Sequence, residues 1–520
     1  MDFEEKYKDQ TSGILHGFDR ILFSGHLSSF FPSKGMYYYL SQTGVRLVGY
    51  EAFMKKQTKA FRQHMEQLAT QSNLTINYLN SPKISKDQIA KVALSKHPTK
   101  KGLIAILSCQ ETAYSFKLLK NGLSKELEIV KQLRKHLHYY CYYMDAEFGW
   151  MFVKIQSWYP FTMHVYVNGR EHLKRSLDKT NITYTAYDNS LTSVSDIVKA
   201  QQLADKLVQK KWDRFLNTFA QKLNPHLSQI QKVYQGRTYH WSLHQCEYAS
   251  DVLFKERNKL EALYQPLVQY ATYFKGGQDI YTFFGRNLHA NSTKEVTGNT
   301  KRFIQGYRVK HYLDRNSIKM YDKHTILRVE TTINNPRSFK IYKTVERDGK
   351  QTKAWVPMGK AVSNMYRYAQ IAKSANTKYL DSLSTVNPSK QLGKKIEQIS
   401  KKTSIQNRNN KQQNFSALNL LSKETCLILE AINDGQFCIQ AFSNKQLREL
   451  LKLKGVFDNL SDDPLSIKKM SGKVTRLIAK LRAHKLVFKI SNSFRYKLTT
   501  LGQQVCNVIL RFKKLELQTL

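Results

Sequence analysis

The sequence predicts a multidomain α+β protein: an antiparallel-sheet N-terminal body with a helical insertion, a basic linker, and a C-terminal winged helix-turn-helix. Three observations predict it. The chain has 520 residues, too many for one ordinary core and enough for two or three domains of roughly 100 to 250 residues each. Runs dense in aromatic and β-branched residues alternate with runs of helical apolar spacing. A stretch poor in aromatics, 385–415, carries seven Lys/Arg against one Glu, with five Gln and five Asn, and so reads as a basic linker between a long body and a shorter tail.

Each element follows from local pattern. Arg20–His26 reads as a strand, Gly35–Gln42 as a helix, and Tyr50–Gln71 as an amphipathic helix with Phe53, Phe61, Met65 and Leu68 on one side. After a short strand, Leu74–Leu79, the run Ser85-Lys-Asp-Gln88 resembles a capping box opening a helix to about Lys96, and Leu103–Leu107 is a buried-strand run. Between His136 and Val167 an antiparallel sheet is expected, broken by a hairpin turn at Asp145-Ala-Glu-Phe-Gly149. These make a first α+β domain, 1–194. Residues 195–300 read as helical: Trp212, Phe215, Phe219 and Leu223 share one face, and Leu253, Leu260, Leu263 and Leu267 another. Trp241–Asp251 reads as a packed helix whose polar edge carries Glu247 and Asp251 at i, i+4. From 301 to 384 strands return: Arg308–Tyr312 with Ile318–Tyr321, then Leu327–Ile333, then Phe339–Val345 with Ala354–Pro357 across Arg347-Asp-Gly-Lys350. A helix from about Val362 to Ser384 closes this set, which is expected to pack with 1–194.

In 416–520 the order is three helices (Leu418–Asp434, Asn444–Lys452, Gly472–His484), a hairpin (Leu486–Ile490 with Phe494–Leu498) and a last helix, the order of a winged helix. On the third helix Val474, Leu477, Ile478 and Leu481 form the buried stripe. Arg476, Ala479, Lys480 and Ala483 are left outward, with Lys473 and Thr475 at the N-terminal edge. A recognition helix needs small residues that admit the backbone to the major groove and cations that reach phosphates and guanine edges. Pro464–Leu520 holds thirteen Lys/Arg and one acid, whereas Ser416–Asp463 holds five and seven, so the basicity is concentrated here. Lys473, Thr475, Arg476, Lys480 and Arg482, with Lys489 and Arg495 on the hairpin, are the expected nucleic-acid contacts.

The formal charge of +43 self-repels unless a polyanion shares the volume, which makes DNA or RNA the expected partner. Six cysteines stand singly, without zinc spacing or a disulfide framework. No run of eighteen apolar residues and no leader pattern occurs, so a soluble cytoplasmic protein with no membrane partner is expected. No Walker or dinucleotide fingerprint is present, which argues against nucleotide hydrolysis.

In so basic a chain, carboxylates on aromatic strands need a cation. Asp19, Asp145, Glu147 and Glu330 are the clearest cases, and Glu330, Asp19 and Asp145 are the expected Mg²⁺ or Mn²⁺ ligands for phosphodiester chemistry. The structural alternative is an ion pair, for instance with Arg20 or Arg328, and for the turn pair a backbone cap. Ile318-Lys-Met-Tyr-Asp-Lys323 followed by Leu327-Arg-Val-Glu330 resembles the segment of plasmid and phage rolling-circle replication initiators in which a Tyr-Asp-Lys strand precedes an Arg-x-Glu strand. That resemblance implies a metal-ligand role for Glu330 and an upstream tyrosine nucleophile. Tyr307, Tyr312 and Tyr281 are available, Tyr312 being the one carried forward, and His136-Leu-His138 matches the initiators' metal-binding histidine pair in type. Gly17–Arg20, Asn168–Glu171, Tyr321–Lys323 and Arg328–Asn334 resemble, nearly end to end, an uncharacterised group of bacterial proteins with occasional transposase-like labels; this supports the domain reading and supplies no mechanism. The expected function is therefore a nucleic-acid-processing protein of a mobile element, a metal-dependent nuclease, transposase or initiator. The alternative is a non-catalytic regulator or ribonucleoprotein component whose aromatic sheet stacks on bases.

Overall fold

The computed structural model describes residues 2–98, 101–122, 126–286, 296–303, 306–347, 350–384, 396–406, 412–457 and 463–516. Helices and strands are mixed, and the sheet is large and mostly antiparallel. In chain order the strands are β1 (Thr11–His26), β2 (Ile76–Leu79), β3 (Gly102–Lys120), β4 (Leu127–Asp145), β5 (Gly149–Gln156), β6 (Met163–Asn168), β7 (Tyr184–Ala186), β8 (Leu191–Val194), β9 (His240–Phe254) and β10 (Val296–Phe303). They continue as β11 (Gly306–Leu313), β12 (Asn316–Lys323), β13 (Ile326–Ile333), β14 (Lys340–Arg347), β15 (Lys350–Pro357), β16 (Thr403–Gln406), β17 (Gln412–Phe415), β18 (Val487–Lys489) and β19 (Tyr496–Leu498). The chain divides into two compact units, Ser12–Leu253 with Arg328–Asn376, and Met1–Thr11 with Phe254–Leu327 and Thr377–Leu520. Among the described residues no helix is long and apolar enough to cross a membrane.

In the unit built from Ser12–Leu253 and Arg328–Asn376 the strand order is β13-β9-β1-β6-β5-β4-β3-β2. The ladders from β1 through β6, β5, β4 and β3 are antiparallel, and β2 joins β3 in parallel. Period-two patterning sets the faces. Ile21 and Phe23 on β1, Met151, Val153 and Ile155 on β5, and Met163, Val165 and Val167 on β6 are all inaccessible, while the residues between them are half-buried. Helices Tyr50–Gln71 and Trp212–Leu223 cover this stripe with rings: Phe61 stacks on Tyr139 and Phe161, each at 5.8 Å between centroids, and Trp212 meets Phe23 at 4.7 Å. Helix Lys86–Lys96, whose N-cap Ser85 accepts from the Gln88 amide, places buried Ala90 among Ile104, Leu107, Tyr140 and Tyr142.

One expectation fails here. Trp241–Asp251, read as helix, is the strand β9, and Leu253 lies at its end rather than on the helical face of Leu260, Leu263 and Leu267. A spacing of four puts Glu247 and Asp251 on one face under either period, so it does not separate helix from strand. The near-continuous burial of Cys246–Phe254, as in a strand covered on both faces, is what decides.

In the other unit β10, β11 and β12 form an antiparallel meander. Val309, Leu313, Ile318 and Met320 turn inward beside helices Arg257–Phe274 and Gly277–Phe283, and His311 on the same side meets Tyr379 at 3.3 Å. The expected linker is partly structured: Ile399 joins an apolar core with Leu418 and Leu429, and β16 pairs with β17. Segments 385–395 and 407–411, like the turn residues Asp348 and Gly349, lie outside the described residues. Four helices follow (Lys423–Ile432, Gly435–Gln440, Asn444–Leu453 and Pro464–Ala483), then the β18–β19 hairpin and helix Thr500–Glu516.

Pro464–Ala483 starts eight residues before the expected Gly472, because Asp463 caps it by accepting from the Leu465 and Ser466 amides at 2.9 Å and Pro464 occupies its first turn. Its buried line is Met470, Val474, Ile478 and Leu481. Leu477 is only partly buried, and Ala483, expected outward, is buried too. The helix is thus rotated slightly from the expected phase. Leu481→Ala is expected to lower the stability of this region by about 2–5 kcal/mol, and Leu477→Ala by distinctly less; denaturant midpoints of the full chain followed by circular dichroism check the order.

Candidate functional site

Segments remote in sequence converge on the guanidinium of Arg328, which is 1% exposed on β13. It grips Asp251 of β9 in a two-pronged pair, Nε to Oδ1 at 2.6 Å and Nη2 to Oδ2 at 2.8 Å, and donates from Nη1 to Asp19 Oδ2 of β1 at 3.0 Å. Nη2 also reaches the Asn189 carbonyl at 3.0 Å and Ser190 Oγ at 2.8 Å. A second buried arginine, Arg170, forms an ion pair with Asp251, Nη2 to Oδ2 at 3.0 Å, and donates to the Ala249 carbonyl at 3.2 Å.

The local sequence explains each placement. Asn168 ends β6 and caps helix Gly169–Lys179 by accepting from the Arg170 and Glu171 amides at 2.9 and 3.1 Å, while its Nδ2 donates to Asn189 Oδ1. Asn189 in turn donates to Asp19 Oδ1. Gly169 is required: a Cβ there would stand 2.3 Å from the Phe18 carbonyl oxygen. Gly17–Arg20, Asn168–Glu171 and Arg328–Asn334 thus meet at one place. A polar line extends beside it: Thr331 donates to Asn376 Oδ1 at 2.7 Å, Asn376 donates to Ser250 Oγ at 3.0 Å, and Ser250 lies 2.8 Å from His16 Nδ1.

Around this pair sit further acids. Glu330 is fully buried and Glu247 is 8% exposed, and ligand oxygens of Asp19, Glu247 and Glu330 lie within 4.8 Å of one another, the one such group among the described residues. Four carboxylates, Asp19, Asp251, Glu247 and Glu330, face Arg328 and Arg170 in the interior and Arg20 at its edge, whose guanidinium pKa is raised despite the opposing effect of burial, with Asp19 the first of the charges that hold it up. Burial pushes the Asp19 carboxyl up, Arg328 opposes this, and Glu330 adds to it. The crowding of the three acids can be eased by a proton on this group or by a cation among them.

Of the expected metal ligands, Glu330 and Asp19 come together and Asp145 does not join them. Asp145 Oδ1 accepts from the Glu147 and Phe148 amides at 2.8 and 2.9 Å, capping its own turn, which Gly149 closes at a φ of +63°. Glu147 pairs with Lys210 at 2.5 Å. Tyr312 lies on β11 with Lys310 Nζ 4.5 Å from its ring centre, and is not part of the acidic group. His136 and His138 face different partners, Ser115 Oγ and the His136 carbonyl. Sequence reasoning missed Arg170, Asn189 and Asn376, and placed Glu247 and Asp251 on a helix edge.

On helix Pro464–Ala483, Lys473, Thr475, Arg476 and Arg482 are exposed and Lys480 is half-buried. Thr475 accepts from Asn444 Nδ2 at 2.9 Å, tying this helix to Asn444–Leu453. Lys489 and Arg495 are exposed, with Lys489 Nζ 5.3 Å from the ring centre of Phe494, itself 84% exposed. Compared with protein-family models, curated proteins and solved structures, the chain finds no match in any of the three.

Histidines of this unit give a pH signature. Burial pushes His16, His136, His138 and His226 down to about 4 and His164 to about 3, from an ordinary 6.5. They are neutral in the fold but protonate in the unfolded chain below 6.5, so their contribution is intact above 6.5 and is lost as pH falls towards 4. The raised Asp19 carboxyl works in the opposite sense, as one group against five. Denaturant midpoints should be flat from about pH 8 to 7 and fall between about pH 6.5 and 4, with His138→Gln and His226→Gln flattening the fall.

Proposed function

We propose that this chain is a nucleic-acid-binding protein of a mobile element, acting in the cytoplasm, whose C-terminal helices and hairpin form a winged helix-turn-helix that docks on duplex DNA through helix Pro464–Ala483. The observation that carries the reading is the placement of exposed cations: Lys473, Arg476 and Arg482 on one helix and Lys489 and Arg495 on the hairpin beside it, in a segment of thirteen Lys/Arg to one acid. Such an arrangement neutralises phosphates on both sides of a groove, while the basic excess of the whole chain, +43, draws the polyanion in. Each phosphate contact contributes about 0.9 to the slope of log affinity against log salt on duplex DNA. Replacing Lys473, Arg476 and Arg482 by Gln should weaken duplex binding and lower that slope by roughly 2 to 3, with no change in melting temperature; an unchanged slope in fluorescence anisotropy would sink the reading.

A second reading keeps one observation of its own: strand cleavage assisted by Mg²⁺ or Mn²⁺ held by Asp19, Glu247 and Glu330. The close approach of three buried carboxylates supports it. There the metal would supply charge neutralisation at a phosphate, and Arg20 at the edge of the cluster would face the same anion. If a metal is held, wild type should take up Mn²⁺ in titration calorimetry, Glu330→Gln and Glu247→Gln should each abolish the heat, and divalent-dependent nicking of supercoiled plasmid should disappear with it. If a proton balances the cluster instead, no Mn²⁺ heat is seen and Glu330→Gln melts at the same temperature or higher.

A further inference from the structure

We infer that the outward face of the β10–β11–β12 meander is a binding platform for single-stranded nucleic acid, separate from the helix Pro464–Ala483. The inference rests on the nucleic-acid-binding reading and adds a ligand class and a second surface to it.

Register assigns the face without ambiguity. Residues directly opposite one another across antiparallel strands project to the same side. Val309, His311 and Leu313 on β11 are buried, and so are their partners Met320, Ile318 and Asn316 on β12. The alternate residues therefore form the other face in three cross-strand rows: Lys301–Arg308–Tyr321, Asn299–Lys310–Lys319 and Thr297–Tyr312–Ser317. All of β10 beyond its first residue is exposed, Arg308, Lys310, Tyr312, Lys319 and Tyr321 are half-exposed, and Ser317 at the end of its row is buried. Four of nine positions are cations, two are tyrosines, the remaining three are short hydrogen-bonding side chains, and no carboxylate occurs.

The cations and rings are interleaved rather than merely neighbours. The Arg308 guanidinium carbon lies 4.2 Å from the Phe303 ring centre and 4.9 Å from that of Tyr321, so two rings hold it. Lys310 stands 4.5 Å from the Tyr312 ring centre and Lys319 5.6 Å from that of Tyr321. Rings held by cations are ordered before a ligand arrives, which lowers the entropy lost on binding. A flat surface with rings for bases and cations for the backbone fits unstacked nucleotides, because every base has a π-face and the phosphates run beside it. A duplex, with its bases stacked inside, offers nothing to Tyr312 and Tyr321. An acidic protein would use the cations and leave the rings idle.

The test uses the full chain and fluorescent oligo(dT), oligo(U) and hairpin-duplex probes. Tyr312→Leu with Tyr321→Leu should weaken binding of oligo(dT) or oligo(U) on the order of tenfold and leave the salt slope and the hairpin affinity unchanged. Lys310→Gln with Lys319→Gln, which alters no ring, should lower the single-strand salt slope by about 0.7 per cation; it guards against a folding defect in the tyrosine pair, as does the hairpin affinity. A preference between oligo(dT) and oligo(U) identifies DNA or RNA as the source. Equal loss on duplex and single strand would make the ribbon a duplex contact, and no loss on either would make it a solvated face. Both outcomes overturn the inference while helix Pro464–Ala483 keeps its role. Failure of the wild type to bind any of the three probes overturns the nucleic-acid reading itself.

Discussion

An arginine that cannot lose its proton, set in the interior of a sheet, constrains everything around it. Arg328 is engaged at every nitrogen: Asp251, Asp19, the Asn189 carbonyl and Ser190 accept from its Nε, Nη1 and Nη2. Removing one partner of such a buried pair costs about 3–5 kcal/mol because the other charge is left stranded, so β1, β9 and β13 must arrive in one register or not at all. The network selects a register more than it adds stability, since well-packed apolar residues would hold three strands together about as well.

The same logic accounts for the residues beside it. Asn168 fixes the start of helix Gly169–Lys179, which delivers Arg170, and Asn189 bridges Asn168 to Asp19. Glu330 and Glu247 crowd Asp19 beside this network. Buried acids so close together have two chemical outlets, protonation or a bound cation, and both place the adaptable part of the protein at Asp19, Glu247 and Glu330 rather than at Arg328.

Much of the architecture was legible locally. Helix Tyr50–Gln71 is bounded as its spacing predicts, β14 pairs with β15 as the Arg347–Lys350 turn implies, and Ser85 caps its helix. What was not legible has a common cause: where burial is two-sided, period carries no information, so β9 read as helix. Of the site, Asp19, Glu330 and the option of pairing with Arg328 could be picked out because acids on apolar strands are rare in so basic a chain. Asp145 satisfied the same criterion and belongs to a turn, since sequence does not say whether an acid's partner is a cation or its own backbone amides. Arg170 lay inside the Asn168–Glu171 motif but carried no pattern that assigns it a role. Asn189 and Asn376 act through hydrogen bonds to partners distant in sequence, which leave no periodic trace.

Asp19 and Arg328 are separated by 309 residues. At a synthesis rate of about 5–20 residues per second the acid waits roughly 15–60 s for its arginine. During that interval β6 is there to pair with β1 and Arg170 to pair with Asp251, but the two-pronged grip on Asp251 and the link from Asp19 across to β13 wait for residue 328. A truncated product that ends before residue 328 lacks both.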